Sequence, residues 1–249
     1  VPECIAAFIL IGIPFLILFI LGLRILSSNV KKLSKATSLT LLGVWVVCLL
    51  AMIFTGLDFG TSHSNYGQSV KKSDLNIVEN DTLKLKMVND DNIYYRHNLK
   101  RSTYKREVEV EGRKMSYSNY VKVNVKKSNT DKSYIIIQKE SRGKTRGKAN
   151  SNSKKIAYKY EILDNTIVLD AYFLSAYKNI WKDEEINVTI HIPENTTVYF
   201  DNSVKNFLYN VDNKADIYDK EMANHYFIMK EDTLICTDCE EEEEAIVED

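Results

Sequence analysis

The sequence has little of what catalysis draws on. It holds 249 residues, with four histidines scattered through it and only nine glycines. No Ser/His/Asp arrangement, paired carboxylates or Gly-rich phosphate cradle stands out. Gly143-Lys144-Thr145 is not a phosphate loop, because the pattern needs a glycine where Gln138 stands. Of the four cysteines, Cys4 and Cys48 lie in apolar runs, so Cys236 and Cys239 are the only pair in the polar part. No cofactor is expected.

Charge is missing altogether from two stretches, Cys4 to Leu23 and Ser38 to Leu57. Each is about 20 residues long, the length at which a helix rising ~1.5 Å per residue crosses a ~30 Å hydrocarbon layer. Pro14 removes one backbone donor from the first run, which a spanning helix tolerates. A signal peptide has a single short apolar core, so two full-length runs in succession make that a poor reading. An apolar run so soon after Val1 reads as a piece of a longer or processed protein. Residues 1–57 are therefore expected to form a transmembrane helical hairpin.

Between the runs lie Arg24, Lys31, Lys32 and Lys35, with no acid among them. Short loops rich in Lys and Arg stay in the cytoplasm. These four residues set the expected topology: loop inside, Val1 outside, and everything after Asp58 outside. The lipid bilayer is the first expected partner, and the expected location is the bacterial cytoplasmic (inner) membrane, multi-pass, with a periplasmic remainder.

Residues 58–73 are rich in Gly, Ser and Asn and read as a linker. Beyond them, period-two alternation of Val, Ile, Tyr and Thr predicts strands. They are placed at 82–88, 106–112, 120–127, 133–140, 156–163, 166–173, 186–192 and 197–200. Asp164-Asn165 reads as a tight hairpin turn. A turn residue, then Thr, then a β-run recurs at Asp81-Thr82, Asn165-Thr166 and Asp232-Thr233, and more loosely at Asn195-Thr196-Thr197. That unit suits stacked strand pairs or β-helical rungs of uneven length. Val204, Phe207, Leu208 and Val211 fall at helical spacing, as in a short helix or a loop with buried anchors. Residues 74–239 are thus expected to be a β-rich domain, and 240–249 a solvated acidic tail.

Charge is polarised along this part. Lys100 to Lys159 carries 18 Lys/Arg against 5 Asp/Glu, and Tyr160 to Asp249 carries 6 against 22. The favoured reading is that the two halves sit together and neutralise each other; nucleic acid is not an expected partner. Residues 141–155 read as a basic hairpin tip, with Arg142, Lys144, Arg146 and Lys148 as candidate contacts to anionic lipid. Cys236-Thr237-Asp238-Cys239 admits three readings. A thioredoxin-type pair needs a βαβ context, and the acids at Asp238 and Glu240 to Glu244 disfavour its thiolate. A zinc site needs about four ligands, and no histidine stands at ligand spacing. A structural disulfide or a pair of inert thiols is the plainest.

The hairpin "GIPFLILFILGLRIL…KKLSKATSLTLLGVWVV", the stretch "EEINVTIHIPENTTVYFDNS" with its strand-Ile192-Pro193-turn-strand unit, and the close "HYFIMKEDTLICTDC" occur in this order. Together they resemble the C-terminal half of the PspC-domain (phage shock protein C) membrane proteins of Bacteroidetes-type bacteria. The resemblance implies a membrane protein of an envelope-stress system with an exported toastrack-like β domain and no enzyme activity. The expected fold is membrane-anchored and mainly β: a two-helix hairpin, then an irregular β-helix-like or stacked-sheet domain with one or two short helices. The expected function is that of a sensor or scaffold meeting other envelope or membrane proteins, or a second copy of itself. The alternatives are a structural accessory subunit of a larger membrane complex and an exported thiol oxidoreductase using Cys236 and Cys239.

Overall fold

The computed structural model of the chain describes residues 8, 11–20, 34–75, 82–91, 93, 105–179 and 182–239. The chain divides into two compact units, Val1–Ser64 and Asn65–Asp249.

The first unit is helical. Helix α1 covers Ile11–Ile20 in its described part, and α2 runs Lys35–Ser62. Ser34 caps α2, its hydroxyl accepting from Thr37 N at 3.0 Å. Lys35–Asp58 is the one described helix long and apolar enough to cross a membrane, and its apolar stretch is not buried. Its threonines turn their polarity inward: the Thr40, Thr55 and Thr61 hydroxyls donate to the carbonyls of Ala36, Ala51 and Leu57 at 3.0, 2.6 and 2.8 Å. Such internal bonding is what a side chain needs where no water is available. The turn of the expected hairpin lies outside the described residues.

The second unit is mainly β. Its strands are β1 (Asn65–Leu75), β2 (Thr82–Val88), β3 (Lys105–Val110), β4 (Arg113–Ser118), β5 (Val121–Lys127), β6 (Ser133–Gly143), β7 (Tyr160–Leu163), β8 (Thr166–Asp170), β9 (Phe173–Ala176), β10 (Glu185–Ile192), β11 (Thr197–Phe200), β12 (Tyr226–Lys230) and β13 (Thr233–Cys236). They form a four-stranded sheet ordered β1-β6-β10-β5, a six-stranded sheet ordered β13-β12-β11-β2-β8-β7 and a three-stranded sheet ordered β3-β4-β9. Parallel pairing joins β5 to β10, and β2 to both β11 and β8. Parallel neighbours reached by crossovers are flanked by antiparallel hairpins. Thr82, Thr166, Thr197 and Thr233 each open a strand, all in the six-stranded sheet.

One hydrophobic core takes the inward residues of both larger sheets, among them Leu83 and Leu85 of β2, Val123 of β5, Ile135 of β6, Ile167 of β8, Ile186 and Ile190 of β10, and Phe227 of β12. Along β10 every second residue is buried, so one apolar face drives the strand into place. Full burial of a side chain such as Phe200 or Phe227 contributes roughly 1.5–3 kcal/mol. Residue pairs at φ > 0 make the tight hairpin between β3 and β4, with Glu111 at 51° and Gly112 at 72°. Asp164 at 50° and Glu231 at 51° serve the turns of β7-β8 and β12-β13.

Several expectations need correction. The segment 58–73 is not a linker: α2 continues to Ser62 and β1 begins at Asn65. The segment 156–163 is a strand only from Tyr160, with Ala157 making an isolated bridge to Leu174. The segment 166–173 splits, because the chain leaves β8 after Asp170 and Phe173 pairs with Ser118 in a different sheet. The basic stretch 141–155 is not a hairpin tip. It is the end of β6 followed by helix α3, Arg146–Lys154, capped by Thr145, whose hydroxyl accepts from Lys148 N at 3.2 Å. Ala149 and Ser153 of α3 are buried, and Ala149 lies where a side chain on Gly67 or Gly143 would go. Residues 203–213 form one 3-10 turn at Asn202–Val204 and then a loop anchored by buried Val204, Leu208 and Val211.

Candidate functional site

Of the topology-setting cations, Arg24, Lys31 and Lys32 lie outside the described residues; Lys35 is the exposed first residue of α2. The four candidate lipid contacts lie at the end of β6 and the start of α3. Arg142 sits in β6 with its Nε 2.9 Å from Asp183. Lys144, Arg146 and Lys148 are exposed around the start of α3.

The opposed charges of the two halves meet within the β unit. Besides Arg142–Asp183, Lys122 lies 2.9 Å from Glu185, and Lys127 lies 3.5 Å from Glu194 and 3.3 Å from Asp232. Each pair joins a cation from the basic half to an acid from the acidic half. On the outer face of the four-stranded sheet, Lys122 also stands 5.0 Å from the Tyr120 ring and 4.4 Å from the Tyr209 ring. Lys72 stands 3.6 Å from the ring of Tyr134, which stacks on His191 at 4.4 Å. Tyr66, on the same face, has its hydroxyl pKa raised to about 12 by burial and by the neighbouring Glu140. It stays neutral at physiological pH.

A buried carboxylate ties two sheets together. Glu184 accepts from Ser175 of β9, in the three-stranded sheet, and from Ser141 of β6, in the four-stranded sheet. Burial raises its pKa; the hydrogen bonds and nearby Lys105 oppose that shift.

The most chemically varied cluster lies at the end of the β12-β13 hairpin. Pairing of Phe227 with Cys236 and of Lys230 with Thr233 fixes the register. Continued by one more bond, Thr237 N to Tyr226 O at 2.9 Å, it brings His225 level with Asp238. Cys236 and Cys239 form a disulfide, with Cα atoms 5.7 Å apart and both residues packed against the core. Asp238 Oδ1 accepts from Tyr226 N at 2.9 Å and lies 3.4 Å from His225 Nδ1. That nitrogen is itself buried and its geometry to Asp238 is not that of a hydrogen bond. One ligand atom from each of His225, Cys236, Asp238 and Cys239 falls within 4.8 Å of the others.

Cys236 and Cys239 were legible in the sequence as a pair; His225 was not. His225 stands eleven positions before Cys236, a spacing that means nothing until a hairpin folds it back. The signal that would have found it is the alternation of buried Phe227 and Met229 before a turn at Glu231-Asp232, which marks a strand ending next to the cysteine pair.

Comparison with known families gives two matches. A family model described as the PspC transmembrane region matches residues 1–63, and one described as the ToastRack found in some PspC matches residues 108–242. Neither a curated protein nor a solved structure matches the chain.

Proposed function

The chain belongs to the PspC family, with that family's transmembrane region and toast-rack domain, and from this premise we propose that it serves a bacterial envelope stress response as a sensor or scaffold without catalysis. Its β unit acts on the outer side of the cytoplasmic membrane. There it meets other envelope or membrane proteins, or a second copy of itself. The observation that carries the reading is the contrast along one chain: a 24-residue apolar helical stretch with none of it buried, and then a β unit with a closed apolar core. The cations ahead of α2 support the orientation through the preference of such loops for the cytoplasm. The tyrosine- and lysine-bearing outer face of the four-stranded sheet, where Tyr66, Tyr120 and Tyr209 are exposed, is a surface of the kind partners use.

A reporter that works only after export, fused after Ser64, tests the orientation. Activity of that fusion is expected. If only a cytoplasmic reporter at the same place is active, the orientation is wrong. A chain cut after Ser64 then separates the roles. Loss of the envelope-stress response with normal membrane insertion supports a sensor. An unchanged response, together with a partner copurifying with the full chain in fixed proportion, supports a structural subunit instead.

A further inference from the structure

We propose that the β12-β13 hairpin carries a redox-gated metal site, closed while Cys236 and Cys239 are joined and opened when their disulfide is reduced. The four side chains involved are His225, Cys236, Asp238 and Cys239. Their ligand atoms already lie within 4.8 Å of one another. Cys-x2-Cys is the spacing with which two thiolates commonly hold one tetrahedral ion. The hairpin register supplies the third side chain from β12 and the fourth from between the cysteines.

The chemistry selects the ion. Two sulfurs, one imidazole nitrogen and one carboxylate oxygen make a four-ligand set of borderline softness, suited to zinc and unsuited to calcium or magnesium. In the oxidised hairpin the sulfurs have no charge to offer, so only His225 and Asp238 remain, and two ligands hold such an ion weakly. Reduction changes the set. A dithiol donor exchanges with the disulfide, giving two protein thiols while the donor becomes a disulfide. Binding of the divalent ion then displaces the two thiol protons. The sulfurs must separate to about 3.8 Å, the edge of a tetrahedron with metal–sulfur bonds of about 2.3 Å. A Cα separation of 5.7 Å leaves room for that. His225 Nδ1, buried without a hydrogen bond among the described residues, gains the partner that buried polar atoms require. The acids that follow in sequence, Glu240 to Glu244, attract cations to this end of the chain. The inference rests on the cluster alone and holds whichever side of the membrane the β unit occupies.

The test uses the full chain in detergent, reduced by a phosphine under inert gas, with cobalt(II) as the optical probe for zinc. The reduced wild type is expected to take up one cobalt per chain, with thiolate-to-cobalt charge-transfer absorption and the visible bands of a tetrahedral ion. Zinc should then displace it. The untreated disulfide form should show neither signal. A Cys236→Ser/Cys239→Ser double variant should lose the signal although Cys4 and Cys48 remain. His225→Ala and Asp238→Asn, each checked for an unchanged circular dichroism spectrum, should weaken binding by about tenfold or more. Absence of the charge-transfer band in the reduced wild type overturns the proposal. So does equal binding by the oxidised form, by the double-serine variant, or by folded His225→Ala and Asp238→Asn chains.

Discussion

Phe54 and Phe227 are the same side chain in opposite circumstances. Phe54, on α2, is 75% exposed, and Phe227, on β12, is 0% exposed. The β unit hides its apolar residues from solvent by pairing strands and closing two sheets over them. The membrane unit does not hide its own; along α2, Leu39, Val47, Leu50 and Leu57 face outward as well. In water such a surface would be strongly unfavourable at roughly 25 cal/mol per Å², so the surroundings of α2 must themselves be apolar. A β strand and a lipid-facing helix can therefore share a composition while obeying opposite rules about where the apolar side chain points.

The sharpest way to break this comparison is to truncate the two phenylalanines in turn. Phe227→Ala removes a ring from the closed core, and a loss of about 3–5 kcal/mol is expected in urea unfolding of the full chain in detergent. Phe54→Ala truncates a ring that is 75% exposed, and the same transition should move by less than about 0.5 kcal/mol. Equal effects would mean that α2 is packed against protein and that its exposure has been misread.

How much of this was legible in the sequence depends on whether a segment has one apolar face. β2, β10 and β11 alternate cleanly between buried and more exposed residues, and their places were read directly. Most of β1, Asn65–Leu75, fell within the 58–73 reading as a linker because Gly, Ser and Asn leave no apolar period there, and several of its residues are exposed. It is an edge strand, held by eleven paired residues of β6 rather than by an apolar stripe of its own. α3 was missed for a related reason. Its buried residues are Ala149, Asn152 and Ser153, small or polar side chains that leave no hydrophobic period. The charge polarity was legible as a sum, but the partners Glu185, Asp183 and Asp232 were set by topology. In the cluster at the end of β13, the cysteines were legible by adjacency and His225 became so only through the hairpin register.

The seat of α3 gives the next test, of intermediate size. A Cβ at Gly67 would stand 2.4 Å from Asn150 N and 2.5 Å from Ala149 C, both backbone atoms that cannot swing aside. Gly67→Ala should therefore lift α3 from β1 and β6 at a cost of about 1–3 kcal/mol. The measurable signs are a lower unfolding midpoint and faster proteolysis between residues 144 and 155. Gly147 meets nothing within 4 Å at its Cβ position, and Gly147→Ala should stabilise the helix by up to about 1 kcal/mol. Identical behaviour of the two variants would show that α3 is not seated as described.

The smallest effect concerns Glu184, the one ionisable carboxyl among the buried residues described. Burial raises the pKa of this carboxyl, while Ser175, Asn179, Ser141 and Lys105 work to keep it charged. A raised folded-state pKa means that the folded chain holds this proton more tightly than the unfolded chain does. The contribution to stability is thus present in acid and is lost as pH rises through the raised value. Glu184→Gln removes the titration but also places an amide among donors that want an acceptor, a penalty that does not vary with pH. The absolute stability of the variant therefore decides nothing, and the slope does. As pH rises from the ordinary glutamate range of about 4.3 through the raised folded-state value, the stability of Glu184→Gln relative to wild type should rise. Parallel profiles would mean that Glu184 is as well solvated by its serines, its asparagine and its lysine as it would be by water, and that the joint between the three-stranded and four-stranded sheets carries no electrostatic cost.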